Sequence, residues 1–181
     1  MRLFVALDLP DPVRADLAAL VERLRAEAPP GLRWPAPERW HLTVAFLGDV
    51  DDARQAALLP RLARVAGRHP ALPLQVAGGG RFDGRVLWAG LDGDTQALGR
   101  LAASVAAQAR HAGVPMEDRP YRAHLTLARS DRPRDLRPLV ERLAAYRGPQ
   151  WTADAMHLVR SDLGPSPRYR VLGSWALTGA A

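Results

Sequence analysis

HLTVAFLG occupies residues 41–48 of this chain, and a second stretch, HLTLAR, occupies residues 124–129. The chain has only five His and five Thr, yet two of those Thr stand two positions after a His. Because side chains alternate along a strand, His41 and Thr43 share one face, as do His124 and Thr126, and the Leu between them points to the other. Each predicted strand therefore carries an imidazole beside a hydroxyl.

The pattern around these two strands predicts the remaining elements. Apolar periodicity predicts helices over 11–28, 51–68, 94–111 and 133–146, and strands over 2–10, 39–48, 72–77, 85–91, 121–129, 151–160 and 168–177. The triple glycine at 78–80 predicts a turn, Gly113 the end of the third helix, and 161–167 the loop between the last two strands.

This order of elements favours an α+β fold. Strands and helices interleave without a regular βαβ rhythm, and turns join several neighbouring strands, which is typical of antiparallel or mixed sheets. The two motif strands occupy matching places in the two halves, each after a helix, so we expect a bilobal, pseudo-two-fold arrangement in which they face each other. Because no change of composition marks a linker, residues 1–181 are predicted to form a single two-lobed domain.

Composition narrows the chemistry. The net charge is +6, and all 25 basic residues are Arg, which fits either compositional drift or a protein that binds phosphate through guanidinium groups. Because the chain has no Cys, disulfides, thiolate metal sites and a cysteine nucleophile are excluded. No stretch has the roughly 20 apolar residues of a membrane helix, and the start, MRLFVALDLP, does not resemble a signal peptide. We therefore expect a cytoplasmic protein.

Two imidazoles on facing strands suit the cleavage of a phosphodiester. Displacement at phosphorus needs a base for the nucleophile and an acid for the leaving oxygen, and histidine serves as either near neutral pH. A lone His on a strand is more often structural, and a metal site is the other alternative, although no His-Glu-x-x-His pattern accompanies the pair. His69 and His111 end predicted helices and His157 has no Thr two residues later, so none of these is assigned a catalytic role.

At these residues the sequence resembles the two-histidine phosphoesterases, and within them the RNA 2′,3′-cyclic phosphodiesterases, also called 2′-5′ RNA ligases. The similar segments occur in the same order and span nearly the whole chain: RLFVALDLP, WHLTVAFLGDV, RVLWAGL, YRAHLTLARS and MHLVRSDLGPSPRYRVL. The resemblance implies a bilobal α+β fold with helices outside and a central cleft that holds both motifs.

The resemblance also implies roles for individual residues. His41 would be the proton donor and His124 the proton acceptor, while Thr43 and Thr126 would bind phosphate. Arg129 stands where the family often has Arg and is expected to contact phosphate, although strict alternation sets it off the face of His124 and Thr126. Arg122 shares the face of His124 and is a further candidate.

The leading hypothesis is a hydrolase that opens RNA 2′,3′-cyclic phosphate ends to 2′-phosphomonoesters, with no metal and no cofactor. The reverse 2′-5′ ligation would use the same residues. The expected partner is RNA with such an end, tRNA fragments included, and the protein is expected to act as a monomer without a membrane. Two alternatives stay open: a cyclic phosphodiesterase of small nucleotides and a non-catalytic RNA-binding module.

Overall fold

The computed structural model describes residues 1–164 and 167–181, and within them it forms eight strands and four helices. The strands are β1 Arg2–Leu7, β2 Leu42–Asp49, β3 Leu72–Phe82, β4 Val86–Gly93, β5 Leu125–Arg129, β6 Arg147–Ala153, β7 Ala155–Asp162 and β8 Arg168–Ala176. The helices are α1 Asp11–Glu27, α2 Asp52–Arg68, α3 Thr95–His111 and α4 Arg137–Ala144. The loop predicted over 161–167 includes residues 165 and 166, which lie outside the described residues.

The strands form two four-stranded sheets with matching plans. The first has the order β2-β1-β7-β8 and the second the order β5-β4-β3-β6, and every described strand pair is antiparallel. Each sheet has a motif strand at one edge, paired with the strand that precedes it in the chain; one helix lies between the two in sequence, α1 in the first half and α3 in the second. The α+β class and the pseudo-two-fold plan are therefore confirmed.

The helices tie the two halves together. Helix α3, which follows a strand of the second sheet, packs on β2 of the first sheet and on α2, whereas α1 follows β1 and packs on β6 of the second sheet. Leu17 of α1 and Leu101 of α3 are fully buried in one hydrophobic cluster that draws on both sheets. Each crossover helix therefore covers the sheet of the other half, so the two motif strands are supported by a shared core.

The ends of the long helices follow from local sequence. Asp51 and Asp94 cap α2 and α3, because each carboxylate accepts a hydrogen bond from the backbone N–H three residues later. At the end of α3, Gly113 has a φ of +81° and donates to the carbonyl of Arg110, while Val114 donates to that of Ala109. This pair of bonds is a Schellman motif, which confirms that Gly113 ends the helix.

The turn predicted at 78–80 is wrong, because β3 continues through the three glycines to Phe82. The register with β4 shifts between Val76 and Gly79, and Gly78 takes a φ of +63°, so the strand bulges here instead of reversing. A Cβ on Gly79 would lie 2.5 Å from the carbonyl oxygen of Trp88, and one on Gly80 would meet the Trp88 indole ring. The absence of a side chain at Gly79 and Gly80 allows β3 and Trp88 of β4 to approach each other closely.

The strand predicted over 151–160 is also wrong, because it joins parts of two strands in different sheets. β6 pairs with β3 in the second sheet, β7 pairs with β1 in the first, and the chain crosses between sheets at Asp154. The alternation of buried residues shifts by one position at the junction: Trp151 and Ala153 are buried before it, and Met156 and Leu158 after it. Such a shift also fits a bulge within one strand, so the pattern of burial alone does not show that the chain has changed sheets.

We predict that Gly79→Ala lowers the free energy of unfolding by about 1–3 kcal/mol, since the new methyl group would overlap the Trp88 carbonyl and the Leu143 side chain. Gly67→Ala is the matched control: it lies inside α2 with no atom within 4 Å of the new methyl, and should stabilise by up to about 1 kcal/mol. Urea denaturation measures both changes. Equal effects of the two substitutions would contradict the packing role of Gly79.

Candidate active site

The two motif histidines are held in the same way by the backbone just before each edge strand. The Nδ1 atom of His41 lies 2.7 Å from the carbonyl oxygen of Arg39, and that of His124 lies 2.7 Å from the carbonyl oxygen of Arg122. A carbonyl oxygen can only accept a hydrogen bond, so Nδ1 carries the proton in both rings. In each imidazole, Nε2 is therefore the atom that can exchange protons with a bound molecule.

Each motif strand has a β-bulge directly after its Thr. In the first sheet Thr43 is opposite Ala6 and Ala45 is opposite Val5, so Val44 is the extra residue. In the second sheet the extra residue is Leu127, with the pairs Thr126–Trp88 and Ala128–Leu87 on either side of it. The first five residues of both strands accordingly share one sequence of burial: buried, half-buried, buried, buried, exposed.

The bulges return the sixth motif residue to the face of the Thr. In β5 this residue is Arg129, so strict alternation, which set it off the face of His124, is wrong for this strand. In β2 it is Phe46, whose side chain is 66% exposed although it is aromatic. Sequence analysis missed Phe46. The signal for the bulge was the pair of successive apolar residues after each Thr, because a regularly alternating strand would bury only one of the two.

Arg122 contributes both backbone and side chain beside His124. Its carbonyl orients the imidazole, and its guanidinium carbon lies 5.7 Å from the centre of the Phe82 ring, over the ring face. Phe82 and Trp88 also flank the His124 ring, with centroids 5.2 and 6.1 Å away. The Arg122 guanidinium and the His124 ring therefore both contact the Phe82 ring.

His41 sits in a more enclosed setting. The rings of Phe4 and Tyr169 meet it edge to face, with centroids 5.7 and 4.8 Å from that of the imidazole. Burial among these rings lowers the pKa of His41, because the charged form loses hydration there, while the hydrogen bond to the Arg39 carbonyl acts in the opposite sense. The neutral form is thus favoured more than in an exposed histidine.

Arg14 of α1 fixes the segment that delivers His41. Its guanidinium donates to the carbonyls of Leu9, Pro37 and Trp40, the first at 3.0 Å and the last at 3.4 Å. Residues Pro37–Arg39 form one 3-10 turn, which begins at the acceptor Pro37 and ends just before the acceptor Trp40. This turn holds the Arg39 carbonyl in place, and with it the orientation of the His41 ring.

Tyr121 joins the two motif segments directly. Its hydroxyl donates a hydrogen bond of 2.8 Å to the backbone carbonyl of Thr43, although the two residues are 78 positions apart. Burial raises the pKa of Tyr121, so the phenol is protonated near neutral pH and can donate this hydrogen bond. The segment that precedes His124 is thereby fastened to the strand that carries Thr43.

His69 and His111 lie apart from this site. His69 follows the last residue of α2 and bonds to Ser104, and His111 ends α3, as expected. Within residues 1–164 and 167–181 there is no group of three or more His, Asp or Glu that could hold a metal ion. No helix in the described part of the chain is long and apolar enough to span a bilayer.

The chain is similar to known proteins over nearly its whole length. A family model described as the 2′-5′ RNA ligase superfamily matches residues 9–165. The RNA 2′,3′-cyclic phosphodiesterase of Escherichia coli K12 is 31% identical over 98% of this chain and 97% of that protein, and that of Thermus thermophilus is 32% identical over 99% and 91%. The chain spans 56% of the length of a Geobacillus stearothermophilus relative of the same name, at 28% identity.

Solved structures agree with this similarity. The crystal structure of TT0787 from Thermus thermophilus superposes with a TM-score of 0.80 at 31% identity, covering 100% of both chains. Escherichia coli LigT complexed with 3′-AMP superposes with a TM-score of 0.77 at 29% identity, covering 98% of both.

We predict that neutral His41 and His124 both carry their proton on Nδ1, because a backbone carbonyl accepts a hydrogen bond from that atom in each ring. Imidazole ¹⁵N chemical shifts above the titration range measure the tautomer. His111 serves as the control, since it is exposed and has no side-chain hydrogen bond to the described residues, and it should show the mixture of tautomers of a free imidazole. An Nε2–H signal at either motif histidine would contradict the orientation described above.

Proposed function

We propose that this chain, which belongs to the 2′-5′ RNA ligase superfamily, hydrolyses RNA 2′,3′-cyclic phosphate ends to 2′-phosphomonoesters by acid–base catalysis with two histidines. The observation that carries the proposal is the matched setting of His41 and His124: each ring is oriented by a carbonyl two residues earlier, and each is followed two residues later by a half-buried Thr on an edge strand. The curated relatives named as RNA 2′,3′-cyclic phosphodiesterases support it.

The proposed step is a displacement at phosphorus in which a water molecule attacks and a ribose oxygen leaves. Nε2 of His124 takes a proton from the water as the new P–O bond forms, and Nε2 of His41 gives a proton to O3′ as the P–O3′ bond breaks. The products are a 2′-phosphomonoester and a free 3′-hydroxyl. The donor and acceptor roles come from the resemblance to the family, because the two rings are held alike.

Thr43, Thr126 and Arg129 would bind the phosphate during this step. The two hydroxyls can donate to the non-bridging oxygens, where negative charge must be stabilised, and a guanidinium can hold two such oxygens at once. The bulge after Thr126 supports Arg129 in this role, since it sets the side chain on the same face. Arg122, whose guanidinium lies over the Phe82 ring, would add a second positive charge.

The exposed ring of Phe46 would stack on the nucleobase of the terminal nucleotide. It occupies the same position in its motif as Arg129 does in the other, on the cleft face of β2, and it contacts Phe4, whose ring also touches His41. The Phe46 ring on the strand of the proton donor and the Arg129 guanidinium on the strand of the proton acceptor would favour one orientation of the bound nucleotide. Stacking of a base on an aromatic side chain contributes about 1–3 kcal/mol.

The proposal extends to the setting of the enzyme. Both motifs come from one chain, so a monomer would suffice for catalysis, and RNA ends that include tRNA fragments are the expected substrates, with the cytoplasm as the expected compartment. The same residues run in reverse would join RNA through a 2′-5′ bond. The mechanism itself uses no metal ion and no cofactor.

We expect His41→Ala and His124→Ala each to lower kcat by on the order of 10²–10⁴-fold, which is the usual contribution of a positioned acid or base. Turnover of a cyclic-phosphate oligoribonucleotide by the wild type should follow a bell-shaped pH profile, because one imidazole must be charged and the other neutral. His111→Ala is the control and should leave turnover unchanged. Near-wild-type turnover in either motif variant would rule out the two-histidine mechanism.

We expect the product to carry a 2′-phosphate, because the cleft and not the intrinsic chemistry decides which ribose oxygen faces the proton donor. Chromatographic separation of 2′- and 3′-phosphorylated products measures this. Thr43→Ala and Thr126→Ala should slow turnover, since one lost hydrogen bond to the transition state costs about 2.7–4 kcal/mol, without changing the isomer. A predominant 3′-phosphate would reverse the assignment of donor and acceptor, and an unopened ring would exclude the enzyme.

A further inference from the structure

Asp8 faces His41 from the neighbouring strand. The ladder between β1 and β2 ends with the pair Leu7–Leu42, so the next position sets Asp8 opposite His41. Because Leu7 and Leu42 are both fully buried in the core, the residues that follow and precede them lie on the other face, which is the face of Thr43. Directly opposed residues of an antiparallel pair have their Cβ atoms about 5 Å apart. A carboxylate therefore lies beside the proposed proton donor.

His157 holds this carboxylate from the other side. β7 pairs with β1 so that His157 is opposite Ala6, which itself is opposite Thr43, and the three therefore form one row across the sheet. Nε2 of His157 lies 3.0 Å from Oδ2 of Asp8, and Nδ1 lies 2.7 Å from the hydroxyl of Ser174. Both ring nitrogens have partners, and the side chain is only 15% exposed. Sequence analysis gave His157 no role because it lacks the motif.

The second half of the molecule has no counterpart to this pair. The ladder between β4 and β5 sets Gly90 opposite His124 and Trp88 opposite Thr126. Gly80 of β3 pairs with Trp88 on its other side. Gly90 and Gly80 are the positions that correspond to Asp8 and His157, and neither carries a side chain. The carboxylate and the third imidazole therefore distinguish two histidines that the backbone holds alike.

We propose that the hydrogen-bonded pair Asp8–His157 controls whether His41 carries its proton, which makes both of them positioning residues for the donor. The carboxylate of Asp8 favours the charged form of His41, and a charged His157 opposes it. The other charged or titratable groups that face this cluster are Arg14 from α1, the Tyr169 phenol from β8 and Asp154, which lies near His157. Only the use of the proton in catalysis rests on the proposed function.

Asp8 and His157 keep their charges while the His41 imidazole titrates. The hydrogen bond to Asp8 raises the pKa of His157, and the same bond lowers the pKa of Asp8, so both members of the pair are charged at the mildly acidic pH where histidines ordinarily titrate. Burial lowers the pKa of His41, and the Asp8 carboxylate counteracts this more strongly than His157 adds to it. The pair borders a groove of about 480 Å³ that opens to solvent, through which it can exchange protons.

Titration of the His41 imidazole by NMR, in the full chain without substrate, tests this directly. Asp8→Asn should lower the pKa of His41 by on the order of 0.5 units, because a partly exposed carboxylate is screened by solvent. His157→Gln, which keeps a hydrogen-bond donor for Asp8 but not the charge, should raise it by a smaller amount. The double variant should fall between the two. Asp49→Asn removes the same charge at the far end of β2 and should change nothing.

Shifts of the His41 pKa in opposite directions in the two single variants are the signature of the pair. A purely structural role would shift this pKa in the same direction in both variants, or in neither. Either of those two results overturns the proposal. Asp8→Ser replaces Asp8→Asn if that variant does not fold. The pH dependence of kcat/KM in the same variants should follow the shift of His41. If the NMR shifts appear and the activity profile does not move, the pairing stands and the assignment of His41 as the proton donor falls.

Discussion

The β-bulge that follows each motif Thr is the constraint on which the site depends. An edge strand must bury one face against the core and still offer a His, a Thr and a third side chain to the cleft. Without the bulge, the residue three positions after the Thr would turn into the core. With one extra buried residue, Val44 or Leu127, the strand keeps its buried face and Phe46 or Arg129 returns to the face of the Thr.

The same bulge meets this constraint in both halves, and beside it the two halves carry different side chains. Phe46 stands where the other half has Arg129, and Asp8 stands where the other half has Gly90. A substrate with a flat base, a ribose and a phosphate has no two-fold symmetry of its own. In the proposed site, the unlike residues of the neighbouring strands would give direction to a symmetric pair of imidazoles.

Support for the site comes from contacts that cross the molecule. Arg14 holds the turn before His41, and Tyr121 ties the approach to His124 to the carbonyl of Thr43. Neither residue belongs to a motif, and each acts through the backbone of the other elements. The helices that cover the opposite sheets add to this, because displacement of one half would disturb packing in the other.

The sequence by itself determined the class of fold and most helix and strand positions, because buried periodicity is a local property. The six candidate site residues, which came from the repeated motif and the family resemblance, stay a prediction. The sequence did not reveal the break at Asp154, the strand through 78–80, or the bulges, since the alternation of buried residues carries no record of which strand pairs with which. Phe46, Asp8 and His157 are ordinary residues in the sequence. Only tertiary pairing sets them on the face of His41, where register decides which side chains become neighbours.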